Sequence, residues 1–341
     1  MLKKITIEDY LKDQSPLVDV RSPGEYRKAH IPGSVNIPLF SDNERAHIGT
    51  IYVKQSAEEA TRFAHAYVEP KKSDFLAQAR QVAPSGKISV HCWRGGMRSQ
   101  LFAEFLSENE FSNIFIISGG YKAYRNYVLQ FFGHPLKLRI IGGYTGSGKT
   151  HILNKLADKG YQAVDLEALA CHKGSTFGHI GQKSQPGTEQ YENDLFTSLF
   201  QLNNSGIIWL EDESHNIGGV NIPKALYRQM QESPLFFIEV PRKERAESLV
   251  NEYTQTSDEE LGAAIRRLTR RLGGYNTSRA LQFLKDKNYF EAIMITLNYY
   301  DKAYLKGLSY RNQDNIIHLK SPTTDPDKNM HLILKYINAH E

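Results

Sequence analysis

Apolar residues in this chain come in short runs closed by glycine, proline or charge, and the stretches between the runs have helical spacing. Leu17-Val18-Asp19-Val20 stops at Arg21-Ser22-Pro23-Gly24, and Val35-Asn36-Ile37 stops at Pro38. Lys87-Ile88-Ser89-Val90-His91 and Asn113-Ile114-Phe115-Ile116-Ile117 follow, the latter ended by Ser118-Gly119-Gly120. Such runs predict strands, and residues 97–109 predict a helix between the last two. Strands alternating with helices predict a small parallel α/β sheet, here over residues 1–132.

A short join at Gly133-His134-Pro135 leads into a second pattern of the same kind, over residues 136–341. The apolar run 136–141 predicts a strand that feeds a glycine-rich turn and then a helix over 149–159. Ile207-Ile208-Trp209-Leu210 and Leu235-Phe236-Phe237-Ile238 predict further buried strands. From about 242 to 310 the pattern turns helical, first basic and then aromatic. The fold class expected is therefore α/β, with two parallel-sheet domains, the second carrying a helical C-terminal region.

Composition narrows this without redirecting it. With 341 residues the chain is long enough for two cores, and 40% hydrophobic with 23% charged residues is ordinary for a globular protein. No apolar run approaches the roughly 20 residues of a spanning helix, and no leader pattern opens the chain, so a cytoplasmic protein without membrane contact is expected. The only cysteines, Cys92 and Cys171, are far apart and lack neighbours at zinc spacing, so neither a disulfide nor a structural metal is expected. A formal charge of +4 and a pI near 8.8 permit binding to a polyanion.

Two anion sites of different design follow from local motifs. In His91-Cys92-Trp93-Arg94-Gly95-Gly96-Met97-Arg98-Ser99 a cysteine ends a strand and faces a helix N-terminus. The glycines let successive N–H groups curl inward as a nest, and Arg94 and Arg98 with the helix end favour the thiolate of Cys92. Gly143-Tyr144-Thr145-Gly146-Ser147-Gly148-Lys149-Thr150 is a complete P-loop pattern between a strand and a helix. Its amides from Gly143 through Thr145, Gly146, Ser147 and Gly148 would hold a diphosphate and Lys149 would neutralise it. Thr150 would ligate a magnesium ion.

Glu211-Asp212-Glu213 follows a strand where a metal-orienting acid belongs, which makes Asp212 the candidate partner of Thr150 on the metal and Glu211 a neighbour of the ligand. Asp165-Leu166-Glu167 and the segment from His172 to Gly178 are expected at the mouth of the P-loop. Arg266, Arg267, Arg270 and Arg271, followed by Tyr299, Tyr300 and Tyr304, read either as a solvated helix face or as an RNA surface, with arginine for phosphates and tyrosine for stacked bases.

The string Asp19-Val20-Arg21-Ser22-Pro23-Gly24-Glu25-Tyr26, with His30-Ile31-Pro32-Gly33-Ser34-Val35-Asn36-Ile37-Pro38, resembles the rhodanese homology domain. The loop itself also fits the His-Cys-x5-Arg-Ser signature of tyrosine phosphatases. Its seven residues from Cys92 to Arg98 suit a tetrahedral anion better than a lone sulfur. With the P-loop, Asp165-Leu166-Glu167 and Glu211-Asp212-Glu213-Ser214, the chain as a whole resembles the tRNA 2-selenouridine synthase family.

That resemblance implies replacement of sulfur by selenium in a wobble 2-thiouridine in the anticodon arm of tRNA. It also implies selenophosphate as donor, geranyl diphosphate as alkylating agent, and an S-geranyl-2-thiouridine intermediate. Cys92, Arg94, Arg98 and Lys149 would then be the catalytic set. Two other readings stay open on the residues alone: a phosphatase-like domain joined to a kinase or ATPase, and a non-catalytic tRNA-binding module.

Overall fold

The computed structural model describes residues 1–202, 205–254 and 256–340. Its backbone divides into two units, Met1–Phe131 and Phe132–Glu341. The first holds strands β1 (Leu2–Ile5), β2 (Leu17–Asp19), β3 (Val35–Asn36), β4 (Lys87–His91) and β5 (Asn113–Ile117) in one parallel sheet of order β1-β5-β4-β2-β3. The central strands β2 and β4 are buried along almost their whole length, which is why they read as near-continuous apolar runs. Val18, Val90, Ile114 and Ile116 from the sheet meet Phe75, Phe102 and Leu106 from the helices in one core.

The second unit contains β6 (Leu138–Gly143), β7 (Gln162–Val164), β8 (Ile208–Glu211), β9 (Asn216–Ile217), β10 (Val220–Asn221), β11 (Leu235–Glu239) and β12 (Ile316–Lys320). Five of these form a parallel sheet of order β12-β11-β6-β8-β7, and β9 pairs with β10 as a small antiparallel ribbon. The glycine-rich turn leaves the carboxyl end of β6, a central strand where open α/β sheets place ligands. Helices Arg242–Tyr253, Asp258–Arg267, Thr269–Leu272, Gly274–Lys285 and Tyr289–Leu308 form the helical region, and the chain then returns to the sheet as β12 and closes with the helix Pro326–His340.

The α/β class with two parallel five-stranded sheets is as expected. The edge strands β1 and β12 have no counterpart in the sequence reading. Each sits at a sheet margin with polar residues exposed, Lys3 and Lys4 in β1 and His318 and Lys320 in β12, so their apolar runs are interrupted. Among the described residues no helix is long and apolar enough to cross a membrane.

Candidate functional site

In the first unit, β4 delivers Cys92 to a tight loop ahead of the helix Met97–Ser107. The loop packs backbone against backbone on the next turn. Gly95 has φ +63°, and a Cβ there would lie 2.3 Å from the Ile117 carbonyl oxygen; Gly120 has φ +57°, and a Cβ there would lie 2.3 Å from the Cys92 carbonyl oxygen. Only glycine fits such an approach. The amide of Tyr121 donates to the Cys92 carbonyl at 2.9 Å and that of Lys122 to the Trp93 carbonyl at 3.0 Å, which fixes the loop from behind.

Cys92 is 4% exposed. Burial alone would push its thiol up. Against that act the Ser99 hydroxyl, 3.4 Å from the sulfur, the Arg98 guanidinium, and the amides of Ser99 and Arg94, and together they hold the thiol below its ordinary value. Arg98 donates to Glu25 at 2.8 Å, and Glu25, although half-buried, stays below the usual carboxylate range because of that partner. The Arg94 side chain is exposed, so it is the Arg94 amide that acts on the sulfur. Trp93 and Met97 form an exposed apolar rim.

Behind the loop lies a buried ionic cluster. Arg21 binds Asp19 through both its Nε and Nη2, donates to the Ala29 carbonyl at 2.8 Å, and stacks 3.9 Å from the Tyr121 ring centre. His91 is fully buried, which pushes its pKa down, and its Nε2 is 3.6 Å from Asp19. Glu25, Asp19 and Arg21 were not foreseen as site residues. The spacing Ser22 to Glu25 reads as a capping box, which it is, and this hides the second role of Glu25 as the partner of Arg98.

In the second unit, Lys149 opens the helix Lys149–Asp158 and its ammonium donates to the Gly143 carbonyl at 3.4 Å. Burial works against its charge, but Glu213, Glu167, Glu211 and Asp212 outweigh it and raise its pKa. The Thr150 hydroxyl lies 2.9 Å from a Glu167 oxygen and 2.7 Å from a Glu211 oxygen, and the Glu167 amide donates to the other Glu211 oxygen. Burial and mutual repulsion push all three glutamates up, Glu211 far above its ordinary value and Glu213 to about 8. Asp165 caps the helix Leu166–Ala170 through the Ala168 amide and faces the same cavity. Ser147 is buried with its hydroxyl unpartnered in the loop.

Asp212, expected to join Thr150 on a magnesium ion, makes its contacts elsewhere in this structure. Asp212 is taken by Arg311 at 2.5 Å and by the Tyr304 hydroxyl at 2.6 Å. Oxygens of Glu167, Glu211 and Glu213 lie within 4.8 Å of one another instead. This hard, oxygen-only set, with Thr150 on two of its members, suits magnesium, and the ion would relieve the repulsion that now raises the glutamates. The signal was present in sequence, since Glu167 and Glu213 flank the acids chosen, but strand-end position alone favoured Asp212.

A cavity of about 600 Å³ opens at the P-loop, lined by Lys149, Thr150, Asp165 and Glu213 and by residues of the helix Tyr289–Leu308. Tyr299 and Tyr300, read in sequence either as part of a solvated face or as an RNA surface, line this cavity. The Tyr300 hydroxyl accepts the Thr176 amide N–H at 3.2 Å and its ring packs near Phe177 and Tyr299, because burying an aromatic wall here is worth more than leaving it in water. Arg266, Arg267, Arg270 and Arg271 are exposed as expected, although the helix breaks at Leu268 between the pairs. Arg267 meets His179 at 3.0 Å, and the Arg271 guanidinium lies 5.6 Å from the Tyr299 ring centre.

Comparison with known proteins agrees with both halves. The tRNA 2-selenouridine synthase AAA domain profile matches residues 136–324, and the rhodanese-like domain profile matches residues 6–127. A tRNA 2-selenouridine synthase of Sulfurovum sp. is 34% identical over 297 residues, 80% of each chain. One of Serratia proteamaculans is 35% identical over 336 residues, covering 87% of this chain and 88% of its own. A third, of Shewanella denitrificans, is 37% identical over 260 residues, 74% of this chain and 68% of its own. Similarity of this extent spans the thiolate loop and the P-loop alike, and the chain belongs to the tRNA 2-selenouridine synthase family.

Proposed function

We propose that this protein exchanges the sulfur of a wobble 2-thiouridine in the anticodon arm of tRNA for selenium, in the cytoplasm. Geranyl diphosphate would first alkylate the thiocarbonyl sulfur: the S–C bond forms as the C–O bond to diphosphate breaks. The selenium of selenophosphate would then attack the same carbon and expel the geranylthio group as geranylthiol, and water would cleave the P–Se bond and carry the phosphoryl group away as phosphate. The observation that carries this reading is the presence, on one chain, of a thiolate loop of phosphate-binding length and a separate P-loop with an intact lysine. A leaving diphosphate needs the second, and a selenophosphate the first.

In this scheme Lys149 and the amides of Gly146, Ser147 and Gly148 bind the diphosphate, and magnesium, held by Glu167, Glu211 and Glu213, would offset its charge. Arg98 and the loop amides orient selenophosphate beside the Cys92 thiolate. Exposed Arg266, Arg267, Arg270 and Arg271 supply phosphate contacts to the tRNA.

The test is mass spectrometry of tRNA nucleosides. Cys92→Ser should abolish selenouridine and let S-geranyl-2-thiouridine accumulate, because a hydroxyl is a far poorer nucleophile than a thiolate near neutral pH. Lys149→Ala should block geranylation but still convert tRNA that is already geranylated. Wild-type selenouridine in the serine variant, or equal failure of the alanine variant on both substrates, would defeat the scheme.

A further inference from the structure

The cavity at the P-loop is lined by groups of two chemical kinds. Lys149, Thr150, Asp165, Glu167 and Glu213 are among the ionic and polar ones. Along its side runs one face of the helix Tyr289–Leu308, carrying Tyr300, Ala303, Tyr304, Gly307 and Leu308 at the spacing of a single helical stripe, about 12 Å long. Phe177 and Leu249 also line the cavity.

The tyrosines on this stripe do not offer it hydroxyls. Tyr304 donates to Asp212 at 2.6 Å and accepts the Gly143 amide N–H at 3.1 Å, and Tyr300 accepts the Thr176 amide N–H at 3.2 Å. Their rings thus present carbon to the cavity. Beside and beyond them the wall is open: Ala303 and Gly307 are exposed, and a Cβ at Gly307 would meet no heavy atom within 4 Å.

We infer that this stripe is the binding subsite for the hydrocarbon tail of the diphosphate substrate, and that Ala303 and Gly307 set the tail length it accepts. The inference rests on the reading of the P-loop as a prenyl diphosphate site. A cation at Lys149 and a stripe of ring carbon, alanine and glycine in one cavity suit an amphiphile, whereas a nucleotide base would have to turn from the stripe to Gln182, Tyr227, Gln231 or Arg311 on the other walls. Tyr304 links the stripe to the P-loop, since its hydroxyl accepts the Gly143 amide N–H while its ring belongs to the stripe. A bulky side chain at position 303 or 307 would fill the space a longer tail occupies without touching the head group.

The experiment uses the full chain with Gly307→Leu and, separately, Ala303→Leu. Binding of inorganic diphosphate and of dimethylallyl, geranyl and farnesyl diphosphates is measured by calorimetry, with geranylation of 2-thiouridine tRNA as the activity readout. Unchanged affinity for inorganic diphosphate shows that the P-loop is intact. The expected result is a preference for geranyl over dimethylallyl diphosphate reduced by about tenfold or more in both variants, the range seen when hydrophobic pockets lose space for a chain. Farnesyl diphosphate should lose still more.

If wild type binds geranyl diphosphate well and both variants keep its chain-length ranking, the tail lies elsewhere and the subsite assignment is overturned. If wild type binds prenyl diphosphates no better than inorganic diphosphate, the P-loop reading itself fails. Loss of ATP affinity in the two variants, with prenyl diphosphates unaffected, would assign the stripe to a nucleotide base and also overturn the inference.

Discussion

At the scale of single residues the thiolate loop works by balance. Burial opposes ionisation of Cys92, and Ser99, Arg98 and two amides more than compensate. The thiolate should therefore persist to lower pH than for an ordinary cysteine. Thiolate ultraviolet absorbance, followed as a function of pH, should show a midpoint below the usual thiol value, and Ser99→Ala or Arg98→Met should move it upward and slow selenation several-fold near neutral pH. A midpoint unaffected by both substitutions would remove these two groups from the account. Cys92, Arg98, Lys149 and Thr150 were legible in sequence because each motif is contiguous, and contiguity is what spacing can read. The partner of Arg98 was not, because Glu25 arrives from another element of the fold, and nothing local ties it to Arg98 across 73 positions.

At the scale of elements, the strands that carry the sites were legible for a physical reason. β4, β6, β8 and β11 lie inside their sheets and are apolar on both faces, whereas β1 and β12 are margins that need lysines to stay soluble. The tyrosines of the helix Tyr289–Leu308 were open in sequence to two readings, a solvated face or an RNA surface, since periodicity gives a face but not what the face meets. The arginines of 266–271 keep their exposure and remain the element expected to meet the tRNA backbone. Replacing Arg267 and Arg271 with glutamine should weaken tRNA binding and reduce the slope of log affinity against log salt by about 1.5–2, as for two lost phosphate contacts. Cys92 thiolate absorbance should not change. An unaltered slope would put the RNA surface on another element.

At the scale of the whole molecule the two units carry opposite electrostatic debts. In the first, burial works to raise Asp19 and Glu25, but Arg21 and Arg98 with their neighbours keep both below their ordinary values. Their contribution is present above the unfolded carboxylate values and is lost as pH falls through the folded ones. In the second, Glu167, Glu211 and Glu213 are raised, so their contribution is greatest below the unfolded value of about 4.3 and is lost as pH rises toward 8. Trp93 and Trp209 lie one in each unit and report on them separately. Urea unfolding of single-tryptophan variants should show the Trp209 unit gaining stability from pH 8 to 6 and the Trp93 unit losing it from about pH 5 to 3. Shifts of the same sign at both probes would contradict this. Magnesium should flatten the first trend, since an ion on the glutamates replaces the protons they otherwise hold.

The close approach of Gly95 and Gly120 bears on protein engineering. The loop from Cys92 to Ser99 is shaped as much by the turn at Ser118–Gly120 as by its own residues. A transplant of the contiguous motif into another scaffold would bring the sulfur and the arginine without the second backbone that holds them. The smallest portable unit is two discontinuous segments, and a library that varies one glycine while fixing the other will return only glycine at both.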